Sequence, residues 1–557
     1  MDNKSTFIKN LLGFSLATFI SKILGFVRDA MIVFIFGGGK LSDAYYAASR
    51  ITNLLRRTVG EGAINASVVP ILAKEKARSH ENAVSFFSAI LLFSVGASII
   101  ICLLAIIFRY ELVKLISYGF LKNPAQYELT VFLTAILMPH IIFVTLAAVF
   151  QSALNVSKKF FFPALAPAVF SAIIIGYLTA LNFGFLATLQ LEKKLLLLAA
   201  IASLSGAIQC IALFPLIKKE LYSIKWENPF KNPKIIPAIT MMAPAILSIA
   251  QDQIAIFINT IFASFMASGS ITAIYNSARI IHFPIALFAV SAAQVALPDF
   301  SKNLLLQEKE EFKKTFNFSI KLTLLILTPA TVGILVLALP IVRTLFEHGQ
   351  FSYEQSLLTA DVLFFLAIGL LGYGINKIVS AAYYAAGDMK FILKITTFQM
   401  ILNTALCFLF AKSMGAGGLA LATAITSLLA AAIFLKAINK KFSGNITPPP
   451  AYRQKGDQKT QVAPIAPQAG GGVIEKNTLV LLGKIIPASI LMGLFAKYLN
   501  SLLISSIGHI SATLITIISS ILAYFILLKL FNVKERNSIL KILKNKRNQD
   551  TEESDTK

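Results

Sequence analysis

Residues 44–51 read Ala44-Tyr-Tyr-Ala-Ala-Ser-Arg-Ile51, and residues 273–280 read Ala273-Ile-Tyr-Asn-Ser-Ala-Arg-Ile280, 229 positions further on. At the same offset Phe36 meets Phe265, each just before a Gly/Ser-rich turn. Close by, Pro70 and Lys74 find counterparts in Pro298 and Lys302. A self-match at one offset is the mark of an internal repeat. The second copy falls six apolar stretches after the first, and six is even, so both copies enter in the same direction. Such parallel repeats are related by an axis along the membrane normal.

The sequence around the repeat is apolar. Of 557 residues, 56% are hydrophobic and 14% are charged, with a mean hydropathy of +0.73. A soluble domain carries about 25% charged residues, so this chain lacks the charge to cover a surface in water. Runs such as Ala89–Phe108, Ile235–Ile249 and Ile510–Phe531 approach or exceed the roughly 20 residues that span a bilayer as a helix. Backbone groups in lipid must be satisfied internally, and no period-2 alternation points to barrel strands. The expectation is an all-α polytopic membrane protein. Lys4 and Lys9 precede the first run as in a signal peptide, but that run exceeds a typical apolar signal segment and lacks a clear cleavage site. It reads as a retained first span.

Fourteen spans are expected, near 10–36, 42–72, 86–108, 130–154, 162–181, 195–217, 236–264, 271–298, 319–342, 357–385, 391–411, 416–437, 478–499 and 503–531. The tenth is long enough to tilt or kink. Counted from the N-terminus, alternate loops hold about 33 Lys and Arg against about 9 in the other set. That asymmetry places both termini in the cytoplasm. The net charge of +24 therefore reads as basic loops on one membrane face, not as a nucleic-acid surface. Residues 444–476 are rich in Pro, Gly, Gln and Lys and read as a disordered cytoplasmic linker. The resulting plan has two six-helix lobes (1–220 and 221–443), the linker, two further helices (477–534) and a polar tail (535–557).

Charges inside spans cost about 2.5–3.5 kcal/mol each at the bilayer centre. Span 1 nevertheless carries Lys22, Arg28 and Asp29. In span 2, Arg50, Asn53, Arg56, Arg57 and Glu61 fall within about 140° of a helix turning by about 100° per residue. Asp43 stands at the outer mouth of that span. Span 7 holds Gln251, Asp252, Gln253 and Asn259, span 8 holds Arg279 and His282, and span 10 holds Asp361 and Lys377. Blander readings stand beside these. Arg56 and Arg57 also fit side chains snorkelling to headgroups, Asp29 fits a simple partner for Arg28, His282 fits a packed helix residue, and Asp361 and Lys377 fit span ends. As a set they form a pattern, because Arg50 and Arg279 are repeat-equivalent. Arginine is always charged and grips phosphate with a two-pronged fork. Arginines from both lobes suit a phosphate or diphosphate headgroup. Pro139, Pro163, Pro167, Pro244 and Pro284 punctuate spans and can kink them.

The alternatives differ in what they require. A membrane glycan polymerase needs catalytic carboxylates or a metal cluster in a wet site. The five histidines are scattered, and Cys102, Cys210 and Cys407 sit singly in apolar runs. A non-transporting scaffold needs no cationic face on repeat-related helices. Another exporter of the same architecture, for drugs or other polyprenyl-linked glycans, is the nearest alternative.

Several stretches resemble the bacterial lipid II flippases of the MurJ family. They are Ser21-Lys-Ile-Leu-Gly-Phe-Val-Arg-Asp29, Ser42-Asp-Ala44, Asn53-Leu-Leu-Arg-Arg57, Glu61-Gly-Ala63, Asn259-Thr-Ile-Phe-Ala-Ser-Phe265, Ala267-Ser-Gly-Ser270, Ala278-Arg-Ile280 and Phe283-Pro284. The resemblance covers nearly the whole chain. It implies the multidrug/oligosaccharidyl-lipid/polysaccharide exporter fold and a cationic cavity. The implied substrate is lipid II, the undecaprenyl-diphosphate-linked peptidoglycan precursor, moved across the bacterial inner membrane by alternating access. Family positions carry over to Arg28, Asp29, Asp43, Arg56 and Arg279. Lys22 stands where the family often has arginine, which keeps the charge and loses the fork. Ala278 stands where an acid can precede the span 8 arginine. On this reading Arg28, Arg56 and Arg279 bind the diphosphate, with Lys22, Asn53 and Arg57 in support, and Asp29, Asp43, Glu61 and Arg50 gate. Asp252 with Asn403 and Thr404 is the candidate monovalent-cation site. No cofactor is expected, and a cation or the membrane potential is the candidate driving force. The expected partners are lipid II, membrane lipids and other cell-wall synthesis proteins, with no nucleic acid.

Overall fold

The computed structural model describes residues 3–58, 64–181, 183–219, 228–443, 473, 475–533 and 535. Among them there is no β-strand. The helices run in chain order: α1 Asn3–Phe36, α2 Lys40–Leu55, α3 Ile64–Arg78, α4 His80–Ile107, α5 Arg109–Ile116, α6 Pro124–Leu137, α7 His140–Val156, α8 Phe161–Ala180, α9 Gly184–Thr188 and α10 Leu191–Lys219. The chain continues with α11 Ile235–Ser264, α12 Ser270–Pro284, α13 Ser291–Leu305, α14 Lys309–Phe346, α15 Tyr353–Ile368, α16 Leu370–Ala385, α17 Met389–Ser443 and α18 Lys476–Leu530. Eight helical stretches among the described residues are long and apolar enough to cross a membrane, or nine if α15 and α16, bent by 46°, count as one.

Three expected spans are broken. Span 2 was expected to be continuous over 42–72. Instead α2 ends at Leu55, Arg56 to Thr58 form a π-type turn, and residues 59–63, including Glu61, lie outside the described residues. The expected polar arc over Arg50 to Glu61 is therefore not one regular helical face, and Arg57 is exposed. Span 4 is interrupted at Met138–Pro139, where proline lacks the N–H that would continue the ladder. Span 10 bends at Gly369, as its length suggested. In span 8, Pro284 leads into a π-helical stretch, Ile285–Val290. Pro167 stays within α8, and the Pro244 side chain lies outside the described residues.

The two last long helices are compound. Each has 55 residues, about 80 Å if straight, against a hydrocarbon thickness of about 30 Å. Each turns at one glycine that leaves helical geometry, Gly415 at φ 55° and Gly508 at φ 77°. Spans 13 and 14 were expected to part between 499 and 503; the turn instead falls at Gly508, between Ser505-Ser506 and His509.

The chain forms two compact units. The first comprises Met1–Tyr275 and Phe346–Gln355, the second Asn276–Leu345 and Ser356–Lys557. In the first, α1 lies along α8, where the Ser21 hydroxyl donates to the Ala164 carbonyl at 2.9 Å. The α3, α4, α7 and α10 helices enclose a core that includes Ile64, Phe86, Phe87 and Phe150. In the second, α13, α14, α16, α17 and α18 enclose Phe300, Phe312, Phe316, Tyr383 and Phe434. Many large apolar side chains face outward, including Ile211, Val295, Phe408 and Leu530. A surface that apolar fits lipid and not water.

Two residues at the end of the expected linker, Val473 and Glu475, are packed against α14. Val473 is fully buried among the α14 phenylalanines. The Asn317 amide donates to the Val473 carbonyl at 2.7 Å, and its oxygen accepts the Glu475 N–H at 3.0 Å. Lys321 pairs with Glu475 at 2.7 Å.

Candidate functional site

In the first unit, the partly buried Arg28 and the buried Asp29 form an ion pair in the C-terminal half of α1. Arg28 donates from Nε at 2.9 Å and from Nη2 at 2.6 Å, both to Asp29 Oδ1. Adjacent helix residues point about 100° apart, so this bond depends on the arginine's length. The guanidinium lies 5.3 Å from the centre of the Phe170 ring on α8, a cation–π contact. The second oxygen of Asp29 accepts the Tyr275 hydroxyl at 3.2 Å. Asp29 thus divides its oxygens between helix α1 and helix α12.

Asp43 is buried in the first turn of α2. One oxygen accepts the Gly269 N–H at 2.6 Å, and the other accepts both the N–H and the hydroxyl of Thr272, at 2.8 and 2.7 Å. The first turn of a helix has N–H groups without intrahelical acceptors, and Asp43 supplies acceptors to the first turn of α12. Gly269 sits at φ 93°, a conformation glycine adopts without strain. Tyr46 stacks on Tyr275 with ring centroids 4.1 Å apart and planes 23° apart. The Arg50 guanidinium lies 5.3 Å from the Tyr275 ring centre.

The other expected site residues are placed as follows. Arg56 donates from Nε to the Asn53 side-chain oxygen at 3.2 Å, one turn apart. Lys22 is exposed on α1, and Arg57 is exposed at the end of α2. Arg279 and His282 lie on α12 in the second unit. Asp252 lies on α11, and its side chain is outside the described residues. Asn403 is buried on α17 and accepts from Thr423 at 3.2 Å, while Thr404 donates to the Met400 carbonyl at 2.9 Å. In the second unit the Asp361 carboxylate packs against Gly417, where a Cβ would have no room.

Sequence reasoning missed Tyr275, Tyr46, Thr272 and Phe170. Three of them carried a signal: Tyr46 and Tyr275 lie inside the repeated stretch, and Thr272 is the repeat partner of Asp43. Phe170 had none. It is one of 44 phenylalanines, and only the packing of α1 on α8 brings it to Arg28.

The arrangement presents a guanidinium fork backed by an aromatic ring and held by a carboxylate that a second donor also holds. Such a fork can exchange its carboxylate for a phosphate oxygen. Known membrane transporters are similar to this chain as a whole. The family model of the lipid II flippase MurJ matches residues 32–462. A probable lipid II flippase MurJ of Buchnera aphidicola subsp. Acyrthosiphon pisum is 31% identical over 421 residues, covering 75% of this chain and 81% of that one. A lipid II flippase MurJ of Burkholderia cenocepacia is 27% identical over 447 residues, covering 79% and 85%. Among solved structures, a lipid II flippase MurJ in an inward closed conformation matches with a TM-score of 0.74 and 25% identity, covering 94% of this chain and 99% of that one. An inward-facing MATE multidrug resistance transporter of the MOP superfamily matches with a TM-score of 0.62 and 15% identity over 76% of this chain and 94% of its own, a likeness of fold. This multi-pass membrane chain belongs to the MurJ family of lipid II flippases.

Proposed function

We propose that this protein flips lipid II from the inner to the outer leaflet of the bacterial cytoplasmic membrane by alternating access. In a chain of this family, the observation that carries the reading is the Arg28–Asp29 ion pair, whose carboxylate is shared with Tyr275. Arg28, Arg56 and Arg279 engage the diphosphate, and Lys22, Asn53 and Arg57 add charge and hydrogen bonds around it. Asp29, Asp43, Glu61 and Arg50 act as gating residues by pairing in one state and releasing in another. The sugar-peptide head sits in the hydrated path while the prenyl tail stays in lipid beside α18.

Counting the arms of α17 and α18 separately, and each broken helix as one span, supports fourteen spans. With the basic loops inside, both termini are cytoplasmic. A monovalent cation or the inward-negative potential resets the empty carrier, with Asp252, Asn403 and Thr404 as the candidate ion site. Other cell-wall synthesis proteins are the natural partners, since they make and consume the precursor.

The test is to deplete the protein in its native bacterium and supply Arg28→Ala, Arg56→Ala or Arg279→Ala at normal levels. Lipid II exposed on the outer face is then measured. The expected result is accumulation on the cytoplasmic side in each variant. Normal exposure in all three would sink the cationic-site reading.

A further inference from the structure

Asp43, Tyr46 and Arg50 recur at i, i+3 and i+7 and so share one face of α2. All three meet the start of α12: Asp43 binds Thr272, Tyr46 stacks on Tyr275, and Arg50 lies against the Tyr275 ring. Thr272 follows Asp43 by 229 positions, and Tyr275 follows Tyr46 by the same number. Two of the three contacts therefore join a residue to its own repeat equivalent.

The symmetry fails at the hydroxyls. That of Tyr46 is buried without a hydrogen-bond partner. That of Tyr275 donates to Asp29, the carboxylate that also receives Arg28. One tyrosine therefore connects the aromatic stack to Arg28 through Asp29.

We propose that Tyr275 is a positioning residue for transport, holding one Asp29 oxygen so that Arg28 stays exchangeable toward a diphosphate. Without the hydroxyl, both carboxylate oxygens turn to the guanidinium in a fork-to-fork pair, and an anionic headgroup must compete with a stronger partner. When the start of α12 leaves α2, the stack, the Asp43 bonds and the Asp29 bond break together. Tyr275 thereby tells Arg28 whether that contact is closed. The inference rests on the flippase reading, through the diphosphate.

The test uses the full-length protein in lipid nanodiscs, with undecaprenyl diphosphate as the probe. Tyr275→Phe keeps the ring and removes only the hydroxyl, so a role confined to packing would leave binding unmoved. The expected result is binding weakened about tenfold, the scale of a hydrogen bond to a charged group. In an Asp29→Asn background the same change should cost about twofold or less, since no charged carboxylate remains to compete. Wild-type affinity in Tyr275→Phe, or an equal loss in both backgrounds, overturns the positioning role. If the unmutated protein binds no undecaprenyl diphosphate, the flippase reading fails by itself. The link is then judged on labelling of Ala47→Cys by a water-soluble maleimide, with the native cysteines replaced by serine. Ala47 is 1% exposed and shares the Asp43 face of α2. Tyr275→Phe should speed labelling several-fold, with no further gain when Asp29→Asn is present; unchanged labelling overturns the link without reference to substrate.

Discussion

Thr272 donates twice to one carboxylate oxygen: its backbone N–H and its hydroxyl reach Asp43 Oδ1 at 2.8 and 2.7 Å. A helix that starts at Ser270 thus has its first turn satisfied by a residue from a distant part of the chain. Helix caps normally come from the residue just before the helix.

Asp43→Ala should destabilise the protein by about 2–4 kcal/mol, because the buried N–H groups of Gly269 and Thr272 lose their acceptors. Asp43→Asn keeps one acceptor oxygen and should cost about half as much. Thermal unfolding of the two variants in nanodiscs measures the difference. Equal stability of Asp43→Ala and the unmutated protein would remove the capping role.

Glycines at close helix contacts should behave oppositely to glycines facing open space. A Cβ at Gly372 would lie 2.7 Å from the Ser427 carbonyl carbon and 2.8 Å from the Leu428 nitrogen. Those are backbone atoms that cannot rotate away. Gly372→Ala should cost about 1–3 kcal/mol by overpacking. Gly176 in α8 has nothing within 4 Å of such a Cβ. Gly176→Ala should gain up to about 1 kcal/mol from helix propensity. Unfolding midpoints of the two variants should therefore move in opposite directions.

Asn317 clamps the entry to α18. It is 2% exposed and holds both the Val473 carbonyl and the Glu475 N–H. Asn317→Ala leaves these groups without that partner and should weaken the attachment by about 1–3 kcal/mol. Hydrogen exchange at the first turns of α18 should accelerate while α4 stays protected. Unchanged exchange there would mean that the burial of Val473 alone holds the segment.

Asp388, in the turn between α16 and α17, contributes stability that depends on pH. Burial pushes its carboxyl up, but the hydrogen bond from Lys441 and the Phe391 N–H at 3.1 Å outweigh it, and the folded value lies below the ordinary carboxylate range. A depressed folded value means the stabilisation is complete above the unfolded value of about 4. It is lost as pH falls through the lower folded value. Asp388→Asn should therefore flatten the stability profile below about pH 4 and lower stability modestly at neutral pH. A parallel profile in the variant would show that the pair carries no pH dependence.

The legible part of the candidate site was its charges. Lys22, Arg28, Asp29, Asp43, Arg50 and Arg56 stand out because ionised groups are costly inside an apolar run. Their partners were less legible. Tyr275 and Phe170 are ordinary residues of a membrane helix, and nothing local distinguishes the ones that meet a charge. Helix breaks divided along the same line: Pro139 announces its break by its missing N–H, whereas Gly508 resembles other glycines until its φ is known.

Read in order, the chain specifies a helical membrane protein with repeated halves and arginines inside apolar runs. Apolar run length, loop charge and self-similarity are properties of the chain read in order. Packing alone brings together Asp43 and Thr272, Tyr46 and Tyr275, and Asp29 and Tyr275. Those contacts join residues more than 200 positions apart, and their geometry follows from how helices pack, which no local pattern encodes.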